Sequence, residues 1–224
     1  SQVYQAIANG KHAGITAQSV QVDMAAIFAH KRQVSQQLAD GIESMFQKAG
    51  ISLLRGAAAI TAPNTVQVTG PDGEQTYTAD DILIATGSVP VRPPIPGLEL
   101  PGVMTSDELL EGSDHLYRSI VIIGGGVIGV EFATFYNDLG CEVTVLEGMN
   151  RLLPTLDREL GQNLGLILKK RGVKVITGAT VEGVEQAKDG LTVRFATKKG
   201  ADAVTGEKVL CAIGRRAYWD GLFA

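Results

Sequence analysis

The stretch Gly124-Gly125-Gly126-Val127-Ile128-Gly129 limits the fold of this chain more than any other. It follows an apolar run, Ser119 to Ile123, and opens an amphipathic one, Val130 to Asp138. A second apolar run, Cys141 to Leu146, comes next and closes on Glu147. The order predicts strand, glycine turn, helix, strand and terminal acid, the layout of a βαβ nucleotide-binding unit. Each glycine has a physical reason: Gly124 permits the tight turn, Gly126 lets backbone approach a pyrophosphate, and Gly129 lets helix and strand pack closely. The helix start offers free N–H groups and a positive dipole end to phosphates. Glu147 can accept hydrogen bonds from both hydroxyls of an adenosine ribose. A bare G-x-G-x-x-G is a weak signal; flanked by both strands, the helix and the acid, it points to a dinucleotide.

The rest of the composition narrows the class. At 224 residues, with 45% hydrophobic content, the chain suits one large or two small globular domains. A net charge of −4 gives no reason to expect nucleic acid, and no apolar run has the length of a membrane span. The first residues lack the basic-then-apolar layout of a secretory signal, so a cytoplasmic location is expected. A cleaved organellar presequence would leave the same pattern. The absence of an initiator Met reads as a processed or truncated piece. Cys141 and Cys211 each lie in an apolar strand and read as buried thiols of a reducing compartment. His12, His30 and His115 have neither triad nor metal-ligand spacing and read as surface residues.

Before the glycine turn the chain predicts a long helix and a strand meander. Asp23 is the expected N-cap. Val34, Leu38, Ile42, Met45, Phe46 and Ala49 recur at helical spacing as a core-facing stripe, and Gly50 ends the helix. Strands are expected over Ile51 to Ile60, Thr65 to Val68 and Gln75 to Thr78, with turns at Pro63-Asn64 and Gly70-Pro71-Asp72-Gly73. Asp81 to Ala85 reads as a short strand running into Thr86-Gly87-Ser88. Pro90 to Gly102 reads as an extended interdomain linker, and Ser106 or Asp107 as the cap of a short helix. After the glycine turn, Asp157 opens a helix with Leu160, Leu164, Ile167 and Leu168 on one face, stopped by Gly172. Lys174 to Thr177 is the expected third parallel strand. Val181 to Ala187 and Leu191 to Ala196 form a hairpin, and Val209 to Ile213 is the last strand.

Five motifs occur in register: Thr86-Gly87-Ser88, Pro93-Pro94-Ile95-Pro96-Gly97, Thr105-Ser106-Asp107, the glycine turn followed by Glu131-Phe132-Ala133, and Ala212-Ile213-Gly214-Arg215-Arg216. Together they resemble the pyridine nucleotide–disulfide oxidoreductase family, closest to its dihydrolipoamide dehydrogenase branch, over essentially the whole chain. The resemblance implies an α/β architecture, a Rossmann-like NAD-binding domain inserted in a partial FAD-binding domain with a β-meander. On that reading residues 1–113 are part of the FAD domain, 114–213 the NAD domain, and 214–224 a return segment.

It also implies an FAD- and NAD-dependent oxidoreductase that passes electrons between a dithiol on a lipoyl-bearing partner protein, FAD and NAD. The family's first glycine motif, redox Cys pair, catalytic His and dimerisation domain are expected outside this chain, which leaves it no catalytic residue. Mercuric reductase, soluble transhydrogenase and NADH peroxidase share the core, and a non-catalytic dinucleotide-binding module is the remaining alternative. By resemblance Gly124, Gly126, Val127, Ile128, Gly129, Glu131, Glu147, Val181 and Gly214 belong to the NAD site. Gly56, Thr86, Gly87 and Ser88 are remnants of an FAD site expected to retain little flavin. Glu131 would hold the nicotinamide carboxamide, or serve only as a helix-surface acid.

Electrostatics favours NAD over NADP, since Glu147 would repel a 2′-phosphate. Arg151 lies nearby and is expected to pair with Glu147 or to face solvent. Residues 1–113 lack the partner that their apolar faces require, so an oligomer or an exposed apolar groove is expected there.

Overall fold

A continuous apolar strand needs cover on both faces, and Ser119–Ile123 receives it. In the computed structural model, which describes residues 2–8, 10, 14, 16–17, 19–71, 73–113 and 115–223, this strand is central in a five-stranded parallel sheet. The order is Val103–Thr105, Lys208–Cys211, Ser119–Ile123, Glu142–Glu147, Lys174–Thr177. Ile120 and Ile122 point into one core with Val130, Ala133 and Tyr136 of the helix Val127–Asp138, and with Leu168 of the helix Arg158–Lys170. Val121 and Ile123 point into the other, against Val184, Leu191, Val193 and Phe195. Those residues come from a three-stranded antiparallel sheet in which Gly190–Thr197 lies between Thr180–Ala187 and Gly200–Gly206.

The chain divides into two compact units, residues 1–28 with 90–215, and residues 29–89 with 216–224. The expected boundary between 113 and 114 does not coincide with these units, because Val103–Thr105 pairs in parallel with Lys208–Cys211. The first unit holds the parallel sheet and its two covers. The second holds most of the helix Met24–Lys48 and an antiparallel meander of Ala57–Ala62, Thr65–Gly70 and Gly73–Thr78.

Several expectations need correction. Pro90 to Gly102 is no extended linker: it forms turns within the first unit, Leu98 is buried, and Pro96 O accepts from Val184 N–H at 2.9 Å. Gly97 makes that contact possible, since a Cβ there would stand 1.9 Å from Val184 O. The short helix Ser106–Glu111 is capped by Thr105, with Glu108 closing a capping box, rather than by Ser106 or Asp107. Asp81 to Ala85 forms no strand and Leu83 is 91% exposed; no neighbouring strand among the described residues supplies its backbone partners. The first meander strand begins at Ala57, not Ile51, where pairing with Thr69 starts. The last parallel strand is Lys208–Cys211. On Met24–Lys48 the stripe Val34, Leu38, Ile42 and Met45 is exposed instead of core-facing, because the core that buries this helix reaches only Met24, Ile27 and Phe28. Leu160 and Ile167 are likewise exposed; Gly161 and Leu168 carry the buried face of their helix. His12 and Asp72 lie outside the described residues.

Beneath the far end of the parallel sheet, Glu207 accepts from the Arg118 N–H at 2.9 Å and bonds His115 Nε2 at 2.7 Å. Burial alone would raise this carboxyl, but the bonds and charges of His115 and Arg118 outweigh it and hold it below the usual carboxylate range. A group lowered by folding adds stability above its unfolded value and loses it as pH falls through its folded value. Urea melts of the chain should therefore show stability falling between roughly pH 5 and 3, with a shallower fall in Glu207→Gln.

Candidate dinucleotide site

Strand Ser119–Ile123 ends where the backbone must reverse to start a helix, and three chain segments meet there. Gly124 adopts φ +110°, and a Cβ on it would stand 2.4 Å from Ala212 O. Gly129 sits against the same turn: its Cβ would lie 2.0 Å from Gly124 O. Both positions exclude any larger residue on steric grounds alone. Gly126 is different. It is the N-cap of the helix Val127–Asp138 at φ −73°, no side chain caps it, and a Cβ there meets nothing within 4 Å. The first N–H groups of an α-helix have no acceptor within the helix, so this end presents donors and the positive dipole end to open space.

That space is a cavity of about 610 Å³, within the range of small-molecule sites. Gly124, Gly126, Val127, Ile128, Glu147, Val181 and Gly214 line it, together with Ile95, Met149, Pro154, Thr155, Ala179 and Arg215. Of the residues expected at an NAD site, Gly129 and Glu131 do not line it. Gly129 lies behind the turn as a packing contact, and Glu131 is exposed on the helix.

Glu147 is 7% exposed. Its Oε2 accepts from Gly125 N–H at 2.6 Å and its Oε1 from Met149 N–H at 2.7 Å. A carboxylate has about four acceptor positions, so these two bonds orient it and leave capacity for two incoming hydroxyls. Gly125, not among the expected site residues, is also crowded: a Cβ would meet Leu152 Cδ2, the movable end of a side chain, at 2.4 Å and Glu147 Cβ at 3.1 Å. The signal for this was the Leu152-Leu153-Pro154 segment following the acid. Arg151 neither pairs with Glu147 nor faces solvent freely; it is half-buried and donates to Pro154 O at 2.9 Å. At the other end of the cavity Arg215 is anchored by Asp107 Oδ1 at 2.9 Å and Ser106 Oγ at 3.2 Å.

The residues resembling flavin contacts, Gly56, Thr86, Gly87 and Ser88, are exposed. Thr86 donates to Tyr218 O, and a Cβ on Gly56 would stand 2.6 Å from Thr69 O, so that glycine is explained by packing within its own unit. The cavity over Gly126, with its open approach and oriented carboxylate, has the donors and acceptor that a nicotinamide dinucleotide would require.

The two cysteines belong to the cores on opposite faces of the sheet. Burial pushes the Cys141 thiol up to about 12 and raises Cys211 as well, so both stay protonated and inert. Among the described residues no group of His, Cys, Asp and Glu could hold a metal ion, and no helix is long and apolar enough to cross a membrane.

A family model described as pyridine nucleotide-disulphide oxidoreductase matches residues 2–224. The chain belongs to that family. Dihydrolipoamide dehydrogenase of Chaetomium thermophilum is 37% identical over 229 residues, covering 99% of this chain and 45% of that protein. Dihydrolipoyl dehydrogenase of Geobacillus stearothermophilus is 33% identical over 227 residues, covering 99% and 47%. The HOCl-induced flavoprotein disulfide reductase RclA from Escherichia coli superposes with a TM-score of 0.74 at 29% identity, over 90% of this chain and 45% of that one. LpdA from Mycobacterium tuberculosis shares the fold, with a TM-score of 0.84 at 24% identity over 99% and 48%. The chain spans about half the length of the curated relatives it matches.

Within this family fold, the glycines separate into structural and open positions. Gly129→Ala should destabilise the chain by about 1–3 kcal/mol through the clash with Gly124 O, whereas Gly126→Ala should stay within about 0.5 kcal/mol, both read from urea unfolding.

Proposed function

We propose that the 90–215 region binds a nicotinamide dinucleotide, NAD in preference to NADP, as the nucleotide-binding part of a dihydrolipoyl dehydrogenase-type flavoenzyme. One observation carries the reading: the Glu147 carboxylate is fixed by the Gly125 and Met149 amides on the wall of an open cavity over Gly126. In it the amides at the helix start, Val127 and Ile128 among them, hold the diphosphate. Glu147 accepts from the adenosine ribose, Val181 borders the adenine, and Gly214 admits the nicotinamide. Gly124 and Gly129 set the turn, and Glu131, which lies outside the cavity wall, serves as a helix-surface acid. When bound, NAD supplies the acceptor for a hydride. Glu147 carries a negative charge where a 2′-phosphate would lie, and Arg151 is engaged by its own loop, so NADP meets repulsion without a compensating cation.

For the whole protein we propose oxidation of a protein-bound dihydrolipoyl dithiol to its disulfide with reduction of NAD to NADH and release of a proton. FAD is a second cofactor, and the catalytic groups come from outside this chain. The names of the relatives support this reading, as does the burial of both cysteines here. Residues 1–113 are assigned to part of the FAD domain, 114–213 to the NAD domain and 214–224 to a segment returning toward the FAD domain, with Ile95, Gly214 and Arg215 of the flanking segments completing the cavity wall. A cytoplasmic location and a homo-oligomer complete the proposal. The exposed stripe of Val34, Leu38, Ile42 and Met45 supports an apolar partner surface.

Calorimetric titration of the purified chain tests the cofactor reading. NADH should bind at least about tenfold tighter than NADPH, the cost of one uncompensated charge contact. Gly126→Ala should abolish NADH binding while leaving the unfolding transition in place. Glu147→Gln should weaken NADH roughly tenfold or more and narrow the preference. Equal or tighter NADPH binding would reject the NAD assignment, and no NADH binding at all would reject the dinucleotide reading. Light scattering should report a mass above the 23.6 kDa of one chain.

A further inference from the structure

The loop from Glu147 to the helix cap at Asp157 contains two local costs. Arg151 Nε is buried without a hydrogen-bond partner, the one such side-chain nitrogen or oxygen found among the described residues. Leu153 is held at φ +49°, in the left-handed region that a leucine rarely adopts. Two such features in one short loop call for a compensating role.

Their geometry supplies it. Arg151 Nη2 donates to Pro154 O at 2.9 Å and to Leu156 O at 3.4 Å, closing the loop on itself. The turn at Leu153 aims its N–H at Gly125 O, 2.8 Å away. Leu152, 1% exposed, covers the outer side of Gly125. Gly125 N–H is in turn held by Glu147, whose other oxygen accepts from Met149 N–H at the start of the same loop. Gly125, the residue that leads into Gly126, is therefore braced at both its own N–H and its own C=O by this loop. Pro154 and Thr155, within the closure made by Arg151, form part of the cavity wall.

We propose that Arg151 is a positioning residue for the dinucleotide: by clipping its own loop shut it fixes the Gly125–Gly126 peptide and the Pro154–Thr155 rim. The same commitment keeps its charge on the loop carbonyls and away from a 2′-phosphate. The proposal rests on the dinucleotide reading above and adds a residue that the glycine motif does not contain. A guanidinium suits the task because its planar, fixed donors span two carbonyls while its stem fills the buried space.

The test compares the full chain with Arg151→Met, which keeps the stem and removes the donors, and Arg151→Lys, which restores one donor group. Val193→Ala, in the core on the other face of the sheet, serves as a control that lowers stability elsewhere. Titrations with NADH and NADPH are read beside thermal melts. Arg151→Met should weaken NADH and NADPH by the same factor, roughly five- to tenfold for the two lost loop hydrogen bonds. Arg151→Lys should recover part of the loss, and Val193→Ala should melt earlier yet keep its NADH affinity. Unchanged NADH affinity in a folded Arg151→Met, or a loss confined to NADPH, overturns the proposal while leaving the dinucleotide reading intact. An equal affinity loss in Val193→Ala overturns it as well. If the native chain binds neither nucleotide, both fall together. Should Arg151→Met fail to fold, hydrogen exchange on the native chain decides: NADH should slow exchange of the Leu153 amide, and no change there refutes the brace.

Discussion

The approach of a helix to the end of a strand is the constraint on which this structure depends. At Gly129 the helix Val127–Asp138 comes so near the turn that even a methyl group would overlap Gly124 O. That approach sets where the helix begins, hence where its uncapped amides point, hence where an anionic ligand can be held. The sheet cores on either side hold the strand still, and the glycines let the helix reach it. A larger residue at Gly129 would move the helix start outward and spoil the cavity without any change to its lining.

The βαβ core was legible because its signals are local and reinforce one another. Ile120 to Ile123 is apolar without interruption, as a strand covered on both faces requires, and Val143, Val145 and Leu146 carry the buried positions of the next strand. Gly124 and Gly129 each answer to a separate steric demand, Gly126 leaves the helix start open, and Glu147 could be placed from the end of its strand. What lay outside these local signals was harder to read. Val103–Thr105 and Gly200–Gly206 are strands only because Lys208–Cys211 and Gly190–Thr197 lie beside them, and pairing with a distant segment leaves little trace in a short run. The proline-rich stretch looked extended because proline discourages helix; it turns instead, held by the Val184 N–H to Pro96 O bond that Gly97 makes room for, a contact between residues far apart in sequence.

The helix Met24–Lys48 and the segment after Asp81 show the opposite error. Their apolar residues have the spacing of buried elements, yet Leu38, Met45 and Leu83 are exposed. Periodicity reports that a face is suited to burial, and whether it is buried depends on there being something to pack against it. In the first unit the sheet provides that surface. In the second, the meander's own strands are mostly exposed as well, so its apolar residues have no core of comparable depth to join.

The buried carboxylate links the fold to the chemistry proposed for it. Removing an ion from water is costly unless donors replace the lost hydration. Glu147 has two backbone amides in place, and the helix start contributes positive potential. These donors belong to Gly125 and Met149, whose positions are set by the turn and by the loop that Arg151 closes. The acid is thus desolvated and aligned before any ligand arrives, and a sugar hydroxyl meets an acceptor that need not reorganise. A 2′-phosphate at that position would bring a second negative charge to a site whose donors are already shared. The selectivity attributed to Glu147 therefore depends on its neighbours: the same carboxylate on a mobile, solvated side chain could turn away from the phosphate and would discriminate far less.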